Sequence, residues 1–365
     1  MHFLSVKLHN FRNYDSQAVF FHPKVNIFRG NNAQGKTNLL ESLYIMSLGK
    51  SFRTSKDSEM IGFKGDYSTA RCTYIKNNTE RSMEIIFSKI GKSLIIDGYK
   101  AKKSKDILDN VYVVSFTPED MRIVKDEPER RRKFIDRELC QLKPVYYSSL
   151  QRYKKALMQR NTFLKQGKVE EELLEVWDKT LVEYGSRIIR DRTEFVDKIK
   201  IISKKIHNDI TEGKEGIDLF YEASIPYKES SEELVADFER RLKRDRNRDL
   251  KAGSTSSGPH RDDLKITING IDLRNFGSQG QQRTAALSLK LSEIEIIKEE
   301  KKESPILLLD DVLSELDEAR QEFLLKSFSD VQIFITTAET KESLWTGLPD
   351  KSIFTIENGQ CFLEA

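Results

Sequence analysis

The chain has 365 residues, of which 33% are charged, and its formal net charge is only +3. This length allows one large domain with an insertion or two smaller domains, and the balanced charge excludes a uniformly basic nucleic-acid coat. Three widely spaced cysteines argue against a disulfide scaffold or a zinc site and favour a reducing compartment. No apolar run approaches the ~20 residues of a membrane span, and the first residues do not resemble a signal peptide, so a cytoplasmic protein is expected.

The first 125 residues have the pattern of strands arranged around one helix. Turn residues such as Lys76-Asn77-Asn78 and Asp97-Gly98 separate runs of alternating apolar and polar residues. This alternation predicts strands at 2–9, 17–21, 25–28, 69–75, 83–88, 94–97 and 111–116.

A phosphate-binding loop follows the third predicted strand. It reads Gly30-Asn31-Asn32-Ala33-Gln34-Gly35-Lys36-Thr37, a complete G-x-x-x-x-G-K-[ST] pattern. The glycines let backbone N–H groups converge on a polyphosphate, Lys36 neutralises the β/γ-phosphates, and Thr37 supplies a ligand to Mg²⁺. Apolar spacing from Leu39 to Leu48 predicts a helix that stops at Gly49 and adds its dipole to the anion site. The loop predicts binding of a nucleoside triphosphate, and a glycine turn before an ordinary helix is the alternative.

From about residue 128 the sequence is rich in Lys, Glu and Arg and predicts long helices. Helices at 145–165 and 171–210, reversed at Gln166-Gly167-Lys168, would form an antiparallel arm at most ~60 Å long. The second helix carries an apolar seam made of Leu174, Trp177, Leu181, Tyr184, Ile188, Phe195, Ile199, Ile202 and Ile206. Such an arm is far too short for an extended coiled-coil rod.

The remainder of the chain alternates strands and helices. The pattern predicts a strand at 217–225, a basic amphipathic helix at 231–250, and a loop at 252–259. It continues with a hairpin of 264–268 and 271–273 across Asn269-Gly270, a helix at 280–301, a buried strand at 306–309, a helix, a strand at 331–335 and a final hairpin.

An acidic pair ends the predicted strand Ile306–Leu309. A buried parallel strand that ends in an acid places Asp310 beside the phosphate loop, where it can hold the Mg²⁺ shell. Asp311 then points towards the γ-phosphate and can orient or deprotonate an attacking water. Standing alone, the same pattern would indicate only a strand-end turn.

A third motif, Ser278-Gln279-Gly280-Gln281, precedes the predicted helix at 280–301. It offers a hydroxyl, backbone N–H groups and a helix dipole, which together suit a γ-phosphate. The alternative is an ordinary Ser/Gln helix cap after a glycine turn.

In order and spacing, these motifs and Ser314-Glu315-Leu316-Asp317 resemble the Walker A, signature, Walker B and D-loop motifs of ABC-type ATPases, more narrowly of the SMC-like branch. Further runs make the chain resemble the bacterial RecF family over nearly its whole length; they lie at 8–14, 31–38, 115–120, 130–136, 258–263 and 277–284. The resemblance implies an α/β fold, an ABC-type P-loop ATPase head with a mixed sheet around a central Walker A helix. We expect residues 1–125 and 252–365 to form the ATPase lobe, and 126–251 a mostly helical second lobe with the arm.

What the resemblance implies about function is an ATP-dependent DNA-binding protein of recombinational gap repair, with roles in DNA replication and the SOS response. Its ATP-driven homodimer would clamp duplex or gapped DNA, and slow, DNA-stimulated ATP hydrolysis would release it. The implied partners are RecR and RecO, which act with the family to load RecA. The alternatives are a nucleotide-binding subunit of another ABC-type machine, such as a transporter, and a P-loop kinase. The charged arm and the basic clusters argue against the transporter.

The resemblance also assigns roles to single residues. Lys36 and Asp311 would be catalytic, and Thr37 and Asp310 would hold the metal. ATP would be bound by Gly30, Asn31, Asn32, Ala33, Gln34, Gly35, Lys36, Thr37, Ser278, Gln279, Gly280, Gln281, Asp317 and Arg53. Within this set, Ser278 and Gly280 would reach the γ-phosphate of the partner subunit, and Asp317 would sit at the dimer seam. Arg53 matches the arginine that follows the Walker A helix in SMC-like heads.

Three departures from the general ABC pattern stand out. Position 311 is Asp where many ABC ATPases have Glu, which shortens the reach to water and suits slow hydrolysis. The residues after Ile333-Phe334-Ile335 include no switch histidine, so that Thr337 is a candidate for its role. An obvious Q-loop glutamine is also missing after 111–116.

Three basic clusters are candidates for sequence-independent DNA contacts: Arg130-Arg131-Arg132-Lys133, then Arg152 with Lys154 and Lys155, and the arginines and lysine of 240–248. The alternative is that they form solvated helix faces or ion pairs with neighbouring acids. For His260 a hydrogen-bonded loop histidine is favoured over a metal ligand, because no partner has metal spacing.

Overall fold

A computed structural model describes residues 1–166, 171–327, 330–338 and 350–364. The chain divides into two compact units, Met1–Met121 with Glu293–Ala365 (unit 1) and Arg122–Ser292 (unit 2). Most of the predicted reversal at Gln166-Gly167-Lys168 lies outside the described residues.

Unit 1 contains an antiparallel sheet built from the N-terminal part of the chain. Its strands are β1 His2–Phe11, β2 Tyr14–Phe20, β4 Tyr67–Lys76, β5 Thr79–Ser88, β6 Gly91–Ile96 and β7 Tyr99–Lys100, while β3 belongs to the second sheet. The order across the sheet is β2-β1-β4-β5-β6-β7. Tight turns at Asn77-Asn78 and Asp97-Gly98 have positive φ angles, as two-residue hairpin turns require.

The second sheet of unit 1 is mostly parallel. Its strands are β3 Val25–Arg29, β8 Val113–Phe116, β12 Ile306–Asp310, β13 Ile333–Thr337, β14 Lys351–Glu357 and β15 Gln360–Leu363, with β9 to β11 lying in unit 2. The order is β15-β14-β3-β13-β12-β8, and only the β14–β15 pair, which forms the predicted final hairpin, is antiparallel. Because parallel strands share one carboxyl edge, the segments after β3, β12 and β13 come together there.

Helix α1, Lys36–Leu48, starts inside the phosphate loop and contacts strands of both sheets. Its residues are buried almost all round, which explains why apolar side chains occupy so much of its surface. It ends at Gly49, whose φ of 65° places it in the left-handed conformation typical of a helix stop. The predicted central Walker A helix is confirmed. Helix α8, Glu318–Ser327, follows the acidic strand β12 in the same unit.

Unit 2 is mainly helical, with one small antiparallel sheet. Its helices are α2 Pro128–Leu142, α3 Pro144–Gln166, α4 Glu171–Ile210, α5 Ser231–Ala252, α6 Leu273–Phe276 and α7 Gln279–Lys301, the last of which crosses the boundary between the units. The sheet has the order β11-β10-β9, formed by β9 Ile217–Glu222, β10 Asp263–Ile268 and β11 Ile271–Asp272. The predicted seam residues of α4 are all buried or half-buried, so the seam is confirmed.

The compact units differ from the predicted lobes. Residues 252–292 were expected in the ATPase lobe, yet they group with unit 2. The cause is long-range pairing, since β10 runs antiparallel to β9 and Arg131 bridges to Asp263 with Nε and Oδ1 2.7 Å apart. Helix α4 is also less of an arm than predicted, because it packs against α2, α5 and β9 as well as α3.

Smaller differences concern element ends. The strand predicted at 217–225 stops at Glu222, and the one predicted at 271–273 is two residues long. A short helix replaces its end because Asp272 accepts a hydrogen bond from the N–H of Asn275 and thereby caps α6. Among the described helices, none combines the length and apolar character needed to cross a membrane.

Candidate nucleotide-binding site

The phosphate loop connects β3 to α1, and its glycines are fixed by close neighbours as well as by conformation. Gly30 and Gly35 have φ angles of 153° and 123°, and Ala33 is left-handed at 65°. A Cβ atom on Gly30 would lie 2.3 Å from the carbonyl oxygen of Ile356, which is closer than any real contact. The loop backbone can therefore take this path only with glycine at position 30.

The ammonium group of Lys36 is bonded to the backbone of this loop. It donates to the carbonyl oxygens of Gly30 and Asn31 at 2.5 and 2.9 Å, and the residue is only 7% exposed. Burial lowers the pKa of Lys36, whereas the negative charges of Asp311 and Asp310 oppose that shift. A buried ammonium bonded to two loop carbonyls suits the neutralisation of phosphate oxygens.

Asp310 ends β12 and meets the loop as the sequence predicts. Its Oδ1 accepts hydrogen bonds from the hydroxyls of Thr37 at 3.0 Å and Thr336 at 2.8 Å. Burial raises the pKa of Asp310, and the two hydroxyl donors act in the opposite direction. A carboxylate beside a threonine hydroxyl is a hard oxygen set of the kind that Mg²⁺ prefers, so the residues fit the ion.

Sequence reasoning missed Thr336. Its hydroxyl also accepts from the N–H of Asp311 at 3.0 Å, so it joins the two acids to β13. The available signal was the Thr336-Thr337 pair at the end of a strand that lies beside the acidic strand. Thr337 itself is buried as the last residue of β13, and a role in place of the switch histidine stays a prediction.

Asp311 occupies a strained backbone position directly after Asp310. Its φ angle is 53°, a left-handed conformation that costs energy for a residue other than glycine. Strain of this kind is common where a side chain must be aimed at a ligand. The role of Asp311 in handling water remains a prediction.

Arg53 lies next to α1, where its guanidinium donates to Oδ1 of Asn38 at 2.7 Å. It is also 3.6 Å from the carboxylate of Glu41, which is fully buried and bound by Arg12 through two hydrogen bonds of 2.7 and 2.8 Å. Glu41 and Arg12 were not predicted, although an acid on the apolar face of a helix is a signal that could have been read. This pair fixes the surface of α1 on which Arg53 lies.

The signature residues lie at the N-terminus of α7 in unit 2. The N–H of Ser278 donates to Oε1 of Gln281 at 3.0 Å, and the N–H of Gln281 donates to Oγ of Ser278 at 3.2 Å. This reciprocal pattern is a capping box, so the ordinary cap considered above is present. Ser278, Gln279 and Gly280 are nevertheless exposed, which leaves a helix N-terminus open to an anion.

Asp317 caps the next helix of unit 1. Its carboxylate accepts the N–H of Arg320 at 3.0 Å and forms an ion pair with the same arginine. The side chain is 54% exposed, so it remains accessible while capping α8. Its place at a dimer seam stays a prediction.

The basic clusters differ in how far neighbouring acids neutralise them. Arg131 is buried against Asp263, and Lys133 pairs with Glu129. The arginines of α5 are paired as well, namely Arg240 with Asp237, Arg241, Arg244 and Arg248 with Asp245, and Arg246 with Asp178. With Arg130 paired to Asp126 as well, ion pairs involve most of the basic residues at 130–133 and at 240–248. Lys154 and Lys155 are exposed on α3.

His260 is a hydrogen-bonded loop histidine in unit 2. Its Nε2 lies 3.0 Å from the carbonyl oxygen of Thr255, and its Nδ1 lies 2.7 Å from the hydroxyl of Tyr153. A carbonyl only accepts, so Nε2 carries the proton, and in the neutral ring Nδ1 accepts from Tyr153. Burial lowers the pKa of His260 to about 4, and the charges of Arg261 and Arg132 contribute in the same direction.

Comparisons with known proteins find relatives over nearly the whole chain. The RecF/RecN/SMC N terminal domain family matches residues 3–347. The DNA replication and repair protein RecF of Clostridioides difficile (strain 630) is 45% identical over 357 residues, which cover 97% of this chain and 96% of that protein. The RecF of Clostridium acetobutylicum is 45% identical over 363 residues, which cover 99% of both chains.

Solved structures give the same result. The recombination mediator protein RecF of the RecFOR pathway, solved with ATP, matches with a TM-score of 0.91 and 38% identity over 100% of this chain and 98% of that chain. The Smc head domain of Pyrococcus furiosus, bound to the C-terminal domain of ScpA, has a TM-score of 0.56 at 15% identity, which is a likeness of fold. It covers 100% of this chain and 96% of that chain.

Fold and site together define an ABC-type ATPase head of the SMC-like kind. The sequence identity over the full chain narrows the class further. The chain belongs to the RecF family.

Proposed function

We propose that this protein is an ATP-dependent DNA-binding protein of recombinational gap repair. In this proposal ATP joins two copies on DNA, and slow hydrolysis releases them. The observation that carries the proposal is the linked set in unit 1 in which Lys36 spans the phosphate loop and Thr37 bonds to Asp310. Relatives at 45% identity are named DNA replication and repair proteins, which supports the DNA-repair part.

The residues of unit 1 would bind ATP and orient the hydrolytic water. The ammonium of Lys36 would transfer its hydrogen bonds from the carbonyls of Gly30 and Asn31 to phosphate oxygens. Thr37 and Asp310 would hold Mg²⁺, which neutralises phosphate charge when bound. Asp311 would orient the attacking water and accept its proton. An aspartate reaches less far than a glutamate, which is consistent with slow turnover.

The exposed signature terminus of unit 2 would complete the site of a second copy. Ser278 and Gly280 would contact the γ-phosphate bound by the partner, so that ATP, and not ADP, favours the dimer. In this arrangement the bound nucleotide would determine how long two copies stay associated on DNA. The ATP-bound dimer would then act with RecR and RecO in loading RecA. Arg53 and Asp317 would lie near the ATP molecules bound between the two copies.

Among the basic clusters, we favour Lys154 and Lys155 of α3 as DNA contacts. Both are exposed. The arginines of α5, in contrast, are largely neutralised by Asp237, Asp245 and Asp178. Contacts of lysines with phosphates release counterions, so binding should weaken steeply with salt and show no sequence preference.

The decisive experiment uses Asp311→Asn in the full-length protein. The variant should bind ATP but hydrolyse it at least ~100-fold more slowly, because the water loses its proton acceptor. ATP-dependent binding to duplex, gapped and single-stranded DNA, measured over a salt series, should then persist where the wild type dissociates. Asp350→Asn is the matched control, since Asp350 is an exposed acid of unit 1 paired with Lys24.

Unchanged hydrolysis in Asp311→Asn would remove Asp311 from the water-handling role. Stoichiometric association with a membrane permease, without salt-sensitive DNA binding, would instead favour the other ABC-type machine. Phosphate transfer to a small molecule by the monomer would support a P-loop kinase.

A further inference from the structure

The turn of the C-terminal hairpin touches the tip of the phosphate loop. This turn, Asn358-Gly359, joins β14 to β15. The N–H of Asn358 donates to Oε1 of Gln34 at 2.6 Å, and the N–H of Gly359 donates to the carbonyl oxygen of Gln34 at 3.1 Å. Both the side chain and the backbone of one loop residue are therefore held by the end of the chain.

Packing at this contact leaves no space for additional atoms. Gly359 has a φ of 72°, and a Cβ on it would lie 2.2 Å from the carbonyl oxygen of Asn13. The side chain of Asn13 in turn donates from Nδ2 to the carbonyl oxygen of Gln34 at 2.9 Å. The carbonyl of Gln34 thus accepts two hydrogen bonds, one from the hairpin and one from the β1–β2 turn.

The hairpin is anchored elsewhere by contacts that do not involve the loop. Gln17 of β2 exchanges two hydrogen bonds of 3.1 Å with the backbone of Cys361. Arg29 of β3 forms a bidentate ion pair with Glu364, which follows β15. Because these anchors hold the hairpin in place, its turn can impose a position on the loop.

We propose that the Asn358-Gly359 turn is a positioning element of the nucleotide site. It fixes the peptide between Gln34 and Gly35, whose backbone leads directly into Lys36, so that the loop is already ordered before phosphate arrives. A preordered loop loses less conformational entropy on binding, and this difference appears as affinity for ATP and ADP alike. The inference rests on the nucleotide-binding part of the proposed function and is independent of dimerisation and of DNA.

Gly359→Ala in the full chain tests the contact, with Gly98→Ala as its matched control. Gly98 also follows an acidic or amide residue in a tight hairpin turn, has a φ of 83°, and has nothing within 4 Å of an added Cβ. Both variants therefore carry the strain of alanine in a left-handed turn, but only Gly359→Ala collides with the backbone of Asn13, whose side chain bonds to the carbonyl of Gln34 in the phosphate loop. Titration calorimetry should show ATP and ADP binding roughly 10-fold weaker for Gly359→Ala and unchanged for Gly98→Ala.

A second readout separates positioning from general damage. Without nucleotide, Gly359→Ala should exchange the amides of residues 31–36 faster, while amides in the middle of α1 keep their protection. Gln34→Met tests the same contact without adding backbone strain. It keeps the length of the side chain but removes the acceptor for the N–H of Asn358, so about 3-fold weaker binding of ATP and ADP is expected.

The outcomes are distinguishable. Equal nucleotide affinity in Gly359→Ala and Gly98→Ala, together with wild-type affinity in Gln34→Met, would overturn the positioning role and leave the proposed function intact. A wild-type protein that fails to bind ATP would overturn both.

Discussion

The phosphate loop of unit 1 and the signature terminus of unit 2 are built in opposite ways. The loop is held by Lys36, by the hydroxyl of Thr37 on Asp310 and by the hairpin turn on Gln34, so its shape is set by long-range contacts. Ser278 is exposed and is held by a cap formed within its own helix. A site that must grip a phosphate binds more tightly when it is already ordered, whereas a surface that must meet a second copy has to remain accessible.

Ser278→Arg is the change with the largest expected effect on this comparison. In the proposed dimer it would bury an arginine against the partner's nucleotide site, so ATP-induced dimerisation should weaken by about 1,000-fold. ATP binding by the monomer should be unchanged, because the phosphate loop belongs to the other unit. Sedimentation with and without ATP, together with calorimetry, measures both quantities. A normal ATP-induced dimer would refute the role of Ser278 in the partner's site.

A matched control for Ser278→Arg is Ser16→Arg, which places the same side chain on an exposed serine of β2 in unit 1, outside the motifs assigned to the site. If both variants lose the dimer equally, the loss reflects added charge at a general interface and the specific contact of Ser278 is not supported.

The next effect concerns the acid sensitivity of unit 2. His260 is neutral in the folded state with a pKa of about 4, whereas the unfolded chain has the ordinary value of 6.5. Because the folded pKa is depressed, the unfolded state binds a proton first as the pH falls. The stabilisation is complete above pH 6.5 and is lost between pH 6.5 and about 4, amounting to about 3 kcal/mol.

Urea unfolding of the full chain at pH 7 and pH 4.5 checks this expectation. His260→Gln removes the titrating ring, so the variant should lose less stability than the wild type over the same interval. The difference between the two proteins isolates His260 from the carboxylates that also titrate. An identical loss in both would show that His260 does not link unit 2 to pH. Nucleotide binding, measured over the same urea series, reports on unit 1 alone. It therefore shows which of the two units unfolds first.

How much of the fold and of the candidate site could be predicted from sequence depended on how far apart the contacting residues lie along the chain. The loop, α1 and the acids Asp310 and Asp311 were predicted because their patterns are contiguous, and the α4 seam because helical spacing repeats locally. The structure brings Thr37 and Asp310 together as expected.

Contacts between distant positions left no such pattern. Arg12 lies 29 positions from Glu41, and Gln34 lies 324 positions from Asn358. Glu41 stands out in sequence as an acid on the apolar face of α1, but its partner Arg12 and the residues Gln34 and Asn358 are ordinary surface residue types, so only the folded chain shows the pairs. The grouping of residues 252–292 with unit 2 left no local pattern either, because β10 pairs with β9 across a whole helix.

The smallest expected effect comes from a change at Glu215. It tests whether the signature terminus is also stabilised by a residue outside its own helix. Its Oε1 accepts from Nε2 of Gln281 at 2.9 Å, and its other oxygen lies 3.6 Å from Nε2 of His207. Glu215→Leu should loosen the cap and weaken the ATP-induced dimer about 5-fold, since one charge-assisted hydrogen bond is lost, with ATP binding by the monomer unchanged.

Glu215→Gln distinguishes support of the cap from a general contribution to folding. Its amide oxygen can still accept from Gln281, so most of the dimer affinity should return even though the charge facing His207 is gone. Glu212→Leu is the control. It removes an exposed carboxylate, paired with Lys214, from the same segment between α4 and β9, and it should leave the dimer unchanged. If Glu215→Leu dimerises like the wild type, the signature terminus depends on its capping box alone. It would then differ even more from the phosphate loop, which is held by long-range contacts. If Glu215→Gln is as weak as Glu215→Leu, the charge towards His207 matters more than the hydrogen bond to Gln281.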